Sequence, residues 1–195
     1  MKEAKAWAKS LGISITENLG SGDHGTAYLT SDDRVIKITS DPTEFNHAAQ
    51  MLEQELTHPN IVPIHSVKAF PSGMMGILMD KVEVFDSLKF AFNNLHQFAA
   101  DQEVDILEVD FDMYCEEEFM LEIATQKLFM DIEEFGAKHK LYSSDIHPLN
   151  IGLCGEELVV FDLRTDLHKY KEDDFLRRFE KALKNNPKTE LEISL

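Results

Sequence analysis

Three sets of residues in this sequence have the types and spacing to handle phosphate. NLGSGDHGTAYLT spaces Gly20, Gly22 and Gly25 as G-x-G-x-x-G, and such glycines let bare backbone approach a polyphosphate. Lys37 is the charge within the apolar run VIKI. Asp145 and Asn150, five apart in DIHPLN, and Asp162, twelve further on in VVFDL, offer oxygen donors of the kind magnesium takes and a carboxylate to orient a hydroxyl. Singly, each has an ordinary reading: a strand lysine, or an aspartate in a turn at a strand end. Together and in this order they are much harder to obtain by chance.

The glycines alone have more than one use. A dinucleotide fingerprint leaves a strand and opens a helix, whose N-terminus holds the pyrophosphate, and Glu44 lies about twenty residues beyond Gly25, where that fold places its ribose acid. After Gly25, however, come TAYLT, a turn at SDD, and RVIKIT. Glycines inside a strand–turn–strand ribbon suit a hairpin folded over ATP, with Lys37 on the next strand reaching the α- and β-phosphates.

The elements that must position these groups are legible in the periodicity. Residues 2–10 predict a short helix with Trp7 on its apolar side, and GISITENLG alternates as a strand does. DPTEFNHAAQMLEQEL predicts a helix: Asp41 is the N-cap, Pro42 suits the first turn, Glu44 completes a capping box, and Phe45, Ala48, Met51, Leu52 and Leu56 keep helical spacing. NIVPIHSVKAF and GMMGILMDKV complete five antiparallel strands. Beyond residues 80–84 the period turns helical, through Phe85, Leu88, Phe92, Leu95 and Ala99 and again through Leu121, Leu128, Ile132 and Phe135. NIGL and LVVF read as a short hairpin between Asn150 and Asp162. DDFLRRFEKALKNN reads as a last amphipathic helix before Pro187.

Composition narrows the partners. The chain has 195 residues, 43% hydrophobic and 28% charged, which fits one globular domain or two lobes around a shared cleft. A formal charge of −17 disfavours nucleic acid and anionic membranes. No apolar run is long enough to span a bilayer and no secretory leader is read at the start, so a cytoplasmic protein is expected. Cys115 and Cys154, without C-x-x-C spacing, support neither a disulfide framework nor a zinc site. Residues 101–118 hold nine acids and no Lys or Arg. Their alternation, with Leu107, Val109, Phe111 and Met113 opposite Glu108, Asp110 and Asp112, predicts an extended edge segment, a solvated face or a docking site for a basic protein partner.

In these stretches the sequence resembles the protein kinase-like superfamily, in order across residues 19–162, about three quarters of the chain. LGSGDHGTAY resembles the glycine-rich loop, VIKI the strand of the phosphate lysine, HPNIV the run after the first large helix, DIHPLN the catalytic loop and VFDL the metal-binding segment. The resemblance is to small bacterial or bacteriophage Ser/Thr protein kinases. It implies a bilobal α+β fold over residues 1–195: an N-lobe, residues 1–80, of five antiparallel strands plus a helix, and a reduced, mostly helical C-lobe, residues 84–195. It implies ATP and Mg2+ as cofactors and an ATP site between the lobes. Gly20, Ser21, Gly22, Gly25, Lys37, Asp80, Val82 and His147 would bind ATP, the hinge Met79–Val82 holding adenine through its backbone. Asp145 would orient the acceptor hydroxyl and Asn150 and Asp162 would hold the metal.

The sequence departs from the family pattern in several places. Counting back from HPNIV for the partner of Lys37 lands on Ala49, with Glu44 and Glu53 each about a turn away; Glu44 is the expected partner. Ser143 and Ser144 precede Asp145 where the family has His-Arg, and Asp162 is followed by Leu163 and Arg164. His147 stands where small-molecule kinases often carry His. Few residues follow Asp162, so peptide recognition is expected to be unusual or absent. The leading expectation is an ATP-dependent protein Ser/Thr kinase that also modifies Ser21 in its own loop. The alternatives are a small-molecule kinase of the aminoglycoside or choline type and a catalytically inactive kinase-like binding module. The acceptor, protein or small molecule, is unspecified.

Overall fold

The computed structural model describes residues 1–84, 86–109, 116–141, 146, 148–164 and 172–184, without the side chains of 86–90, 92, 107, 116–120 and 148. In chain order its elements are α1 (Lys2–Ser10), β1 (Ile15–Ser21), β2 (Gly25–Thr30), β3 (Arg34–Thr39), α2 (Pro42–Glu53), β4 (Ile64–Ala69), β5 (Met75–Asp80), α3 (Asp86–Asp101), α4 (Glu116–His139), β6 (Ile151–Cys154), β7 (Glu157–Val160) and α5 (Glu172–Lys184). They divide into two compact units, one of Met1–Leu56, Ile64–Met79 and Tyr170–Leu195, the other of Thr57–Pro63 and Asp80–Lys169.

The first unit is built on a five-stranded sheet in the order β1-β2-β3-β5-β4. Strands β1 and β2, β2 and β3, and β4 and β5 pair antiparallel, as the short turn-rich links between them require. Alternation splits β3 and β5 between two cores. On one face, Ala4, Trp7 and Ala8 of α1 pack on Tyr28, Ile36, Ile38, Phe70 and Leu78. Trp7 sits so close to β5 that a Cβ on Gly76 would lie 2.5 Å from its ring; only glycine fits there. On the other face, Phe45 and Ala49 of α2 bury Ala69 and Met75. Because Ile36 and Ile38 face α1, Lys37 between them faces the α2 side. That alternation aims the lysine.

Helix α5 belongs to this first unit, where Phe175, Phe179, Ala182 and Leu183 join the core of Phe45, Ala49 and Met75. The stretch 84–195, expected as the C-lobe, is therefore divided. The physical reason is the apolar stripe Phe175, Phe179 and Ala182, at helical spacing, which finds its partner in α2 and β4.

In the second unit Leu95 and Ala99 of α3 pack with Val109 in one apolar cluster, and β6 pairs antiparallel with β7, Ile151 opposite Val160. The acidic stretch 101–118 does not form the expected extended edge where it is described. Helix α3 continues to Asp101, Ile106–Glu108 is a single 3₁₀ turn, and α4 begins at Glu116; residues 110–115 lie outside the described residues. The turn wins because Ile106 and Val109 pack against α3. Gln126 Nε2 donates to the carbonyls of Ile106, at 3.3 Å, and Val109, at 3.4 Å, in place of a strand partner. Among the described residues no helix is long and apolar enough to cross a membrane.

Candidate active site

The glycine hairpin closes at the β1–β2 turn, where Gly22 N donates to Gly25 O at 2.9 Å. Its glycines have different reasons to be glycine. Gly20 adopts φ +146 with open space where a Cβ would stand, a backbone region that L side chains rarely enter. Gly22 also faces open space, whereas a Cβ on Gly25 would lie 2.5 Å from Ile38 O. Gly25 thus lets β2 close onto β3, while Gly20 and Gly22 leave an unobstructed backbone surface. His24 O ties the hairpin to the end of β3, accepting from Ser40 N at 2.7 Å and Thr39 Oγ1 at 3.3 Å. Ser21 is exposed, and its hydroxyl shares a 2.9 Å hydrogen bond with Thr26 Oγ1.

Lys37 stands opposite Ala27 of this hairpin. Its Nζ lies 2.6 Å from Glu44 Oε1, the glutamate side chain only 3% exposed. The capping residues explain why Glu44 is available. Asp41 Oδ1 accepts from Thr43 N at 2.7 Å and Glu44 N at 3.3 Å, one half of a capping box. The other half is not needed, because Asp41 N donates to Thr39 Oγ1 at 3.0 Å. Glu44 is released from capping and turns to the lysine. Of the two acids flanking Ala49, Glu44 takes Lys37.

Glu53 has another use, which no reading of the sequence anticipated. Arg177 Nη1 and Nη2 donate to its two oxygens at 2.9 and 3.1 Å, Arg178 Nε at 3.2 Å and Lys181 Nζ at 3.1 Å. Hydrogen bonding to Arg177 leads in lowering its carboxyl to about 2, Lys181 adding to it and burial opposing. Arg178 is only 6% exposed, and its Nη1 donates to Asn46 Oδ1 at 2.7 Å. The available signal was an arginine at 178 among Phe175, Phe179 and Ala182 on the apolar stripe of α5, since a guanidinium there must find buried acceptors.

In the second unit β7 delivers Asp162. The run HPNIV fastens that strand: Val160 N donates to Asn60 O at 2.9 Å, Val62 N to Val160 O at 3.0 Å and Asn60 Nδ2 to Leu158 O at 3.0 Å. Phe161 N donates to Asn150 O at 3.0 Å, so Asn150 and Asp162 come to the same end of the β6–β7 hairpin. Asn150 is buried and Asp162 half-buried, its Oδ1 shielded from solvent. An amide oxygen and a shielded carboxylate are the donor types magnesium takes beside substrate phosphate oxygens, so these residues fit that ion. Among the described residues no group of three His, Cys, Asp or Glu could hold a metal. Asp145 and His147, with Ser143 and Ser144, lie outside the described residues.

The backbone is pinned on both sides of Val82. Asp80 N donates to Pro63 O at 3.0 Å, and Glu83 exchanges both backbone bonds with Leu153, at 2.9 and 2.8 Å. A Cβ on Gly152 would lie 2.5 Å from Glu83 O, so glycine at 152 is what lets β6 approach. Among the described residues no hydrogen bond engages the Val82 N–H or C=O. Burial, and then the Asp80 charge, push the nearby Cys154 thiol up, which makes it a poor nucleophile.

No family model matches the sequence, and no curated protein matches it. Solved structures do. A chain in the structure of the CAK complex from Chaetomium thermophilum bound to ATP-γ-S aligns over 84% of this chain and 50% of its own length, with TM-score 0.53 and 16% identity. The PK-1 kinase of Cydia pomonella granulovirus aligns over 84% of this chain and 58% of its own, with TM-score 0.50 and 18% identity. This chain thus spans between half and three fifths of the length of these neighbours. With the five-stranded sheet and its helices, these similarities establish that the chain has the protein kinase-like fold.

Proposed function

We propose that this chain is an ATP- and magnesium-dependent phosphotransferase that acts on protein Ser or Thr hydroxyls, Ser21 among them. The observation that carries the proposal is the ion pair of Lys37 with the buried Glu44, set against a hairpin whose Gly20 and Gly22 leave the backbone open. A lysine so held presents a fixed ammonium to the α- and β-phosphates, and the open glycine backbone covers them. Val82 has an unengaged N–H and C=O among the described residues, a donor and an acceptor for the adenine edge. Asn150 and Asp162 hold magnesium, which when bound offsets the charge on the phosphate oxygens. Asp145 orients the acceptor hydroxyl and takes its proton as the oxygen–phosphorus bond forms and the bond to ADP breaks. This division of labour is mostly positioning and electrostatics, so it depends on geometry more than on reactive side chains.

Phosphoproteomics of cells expressing the wild type or Asp145→Asn tests this reading. Phosphosites on proteins that depend on Asp145 support it. Phosphate found in metabolites but not proteins would select a small-molecule kinase. Identical phosphoproteomes and metabolites, with ATP still raising the melting temperature, would select a binding module.

A further inference from the structure

We infer that Arg178 is a positioning residue for phosphoryl transfer, holding α2 at the rotation that keeps Glu44 on Lys37. The inference rests on the phosphotransferase reading. Asn46 and Glu53 are seven residues apart, about two helical turns, so they stand on one face of α2, and Arg178 bonds both: Nη1 to Asn46 Oδ1 at 2.7 Å and Nε to Glu53 Oε2 at 3.2 Å. One guanidinium therefore grips the helix at two heights. Beside it, Phe175 and Phe179 meet Phe45 edge-on, with ring centroids 6.2 and 6.1 Å away. Phe45 is the neighbour of Glu44. α5 thus contacts α2 next to the residue that holds the lysine.

A buried guanidinium is a poor choice if stability alone is at stake, because apolar side chains of similar volume often stabilise as well or better. What it adds is direction. Apolar surfaces allow a helix to roll or slide, whereas hydrogen bonds at two points of one face fix both motions. A side-chain tip at a radius of about 5–6 Å moves about 3 Å when its helix turns by roughly 30°. That is enough to part Lys37 from Glu44. The planar fork of arginine reaches both acceptors at once, and a lysine point charge does not.

The test uses the full chain with Arg178→Met, Glu44→Gln and the two combined. Two readouts are needed: the rate of label transfer from γ-labelled ATP, and the rate at which an amine-acylating reagent modifies Lys37, followed by mass spectrometry. Arg178→Met is expected to melt cooperatively, to expose Lys37 to faster acylation and to lose about tenfold in transfer rate. Adding it to Glu44→Gln should then cause no further loss of transfer, since both act through one ion pair. Unchanged acylation, or losses that multiply in the double variant, would overturn the inference. If Arg178→Met does not fold, Asn46→Leu, which removes only the upper grip, is read by the same two criteria. A wild type that transfers no label refutes the phosphotransferase reading instead, and the acylation rates still decide whether Arg178 positions Glu44.

Discussion

Lys37 Nζ and Glu44 Oε1 stand 2.6 Å apart, the lysine on the middle strand of the sheet and the glutamate in the first turn of α2. Glu44→Gln keeps the shape and removes the charge. It should reduce phosphoryl transfer by about 10²-fold and destabilise the fold by roughly 1–3 kcal/mol, because the half-buried lysine keeps only a neutral acceptor. Initial rates and urea titrations of the same preparation check both.

The glycines of the hairpin separate a folding role from a binding role. Gly25→Ala brings a methyl to 2.5 Å from Ile38 O, an overpacking that costs roughly 1–3 kcal/mol. Gly22→Ala meets nothing within 4 Å and should leave the melting temperature unchanged. In thermal melts Gly25→Ala should fall by about 2–4 °C per kcal/mol. Gly22→Ala should instead show weaker stabilisation by ATP.

Glu53 predicts an acid limit for the α2–α5 contact. Hydrogen bonding to Arg177, with Lys181 in support, lowers its carboxyl from 4.5 to about 2. A depressed folded-state value means a contribution that is complete above about 4.5 and lost as the pH falls toward about 2. The melting-temperature difference between wild type and Glu53→Gln should be constant from pH 7 to about 5, then shrink below about 4.5. A difference that grows on acidification would contradict the ion pairing.

The sheet, the hairpin turns and the Asp41 cap were legible in the sequence because each rests on local chemistry: period-two alternation, SDD at a turn, an Asp-Pro start. Glu44 was legible only as one of two candidates. What decides between Glu44 and Glu53 is Thr39 Oγ1, which takes the Asp41 N–H, and the cations of α5, which take Glu53; both are contacts that spacing does not encode. The acidic stretch misled for a similar reason. Its alternation is real, yet in the described part Ile106 and Val109 pack against α3 and Gln126 satisfies their carbonyls, so tertiary packing overrides the strand pattern there. Helix α5 read as amphipathic, and nothing in its period said which unit its stripe would cover.

Phosphoryl transfer through Lys37 and Asp162 is open to one direct measurement. Label transferred from γ-labelled ATP is compared for wild type, Lys37→Met and Asp162→Asn, with magnesium, on purified protein and on cell lysate. Labelled protein is expected with the wild type, and a fall of about 10²-fold or more in each variant. Equal labelling by all three proteins, or none by the wild type, would refute phosphoryl transfer at this site.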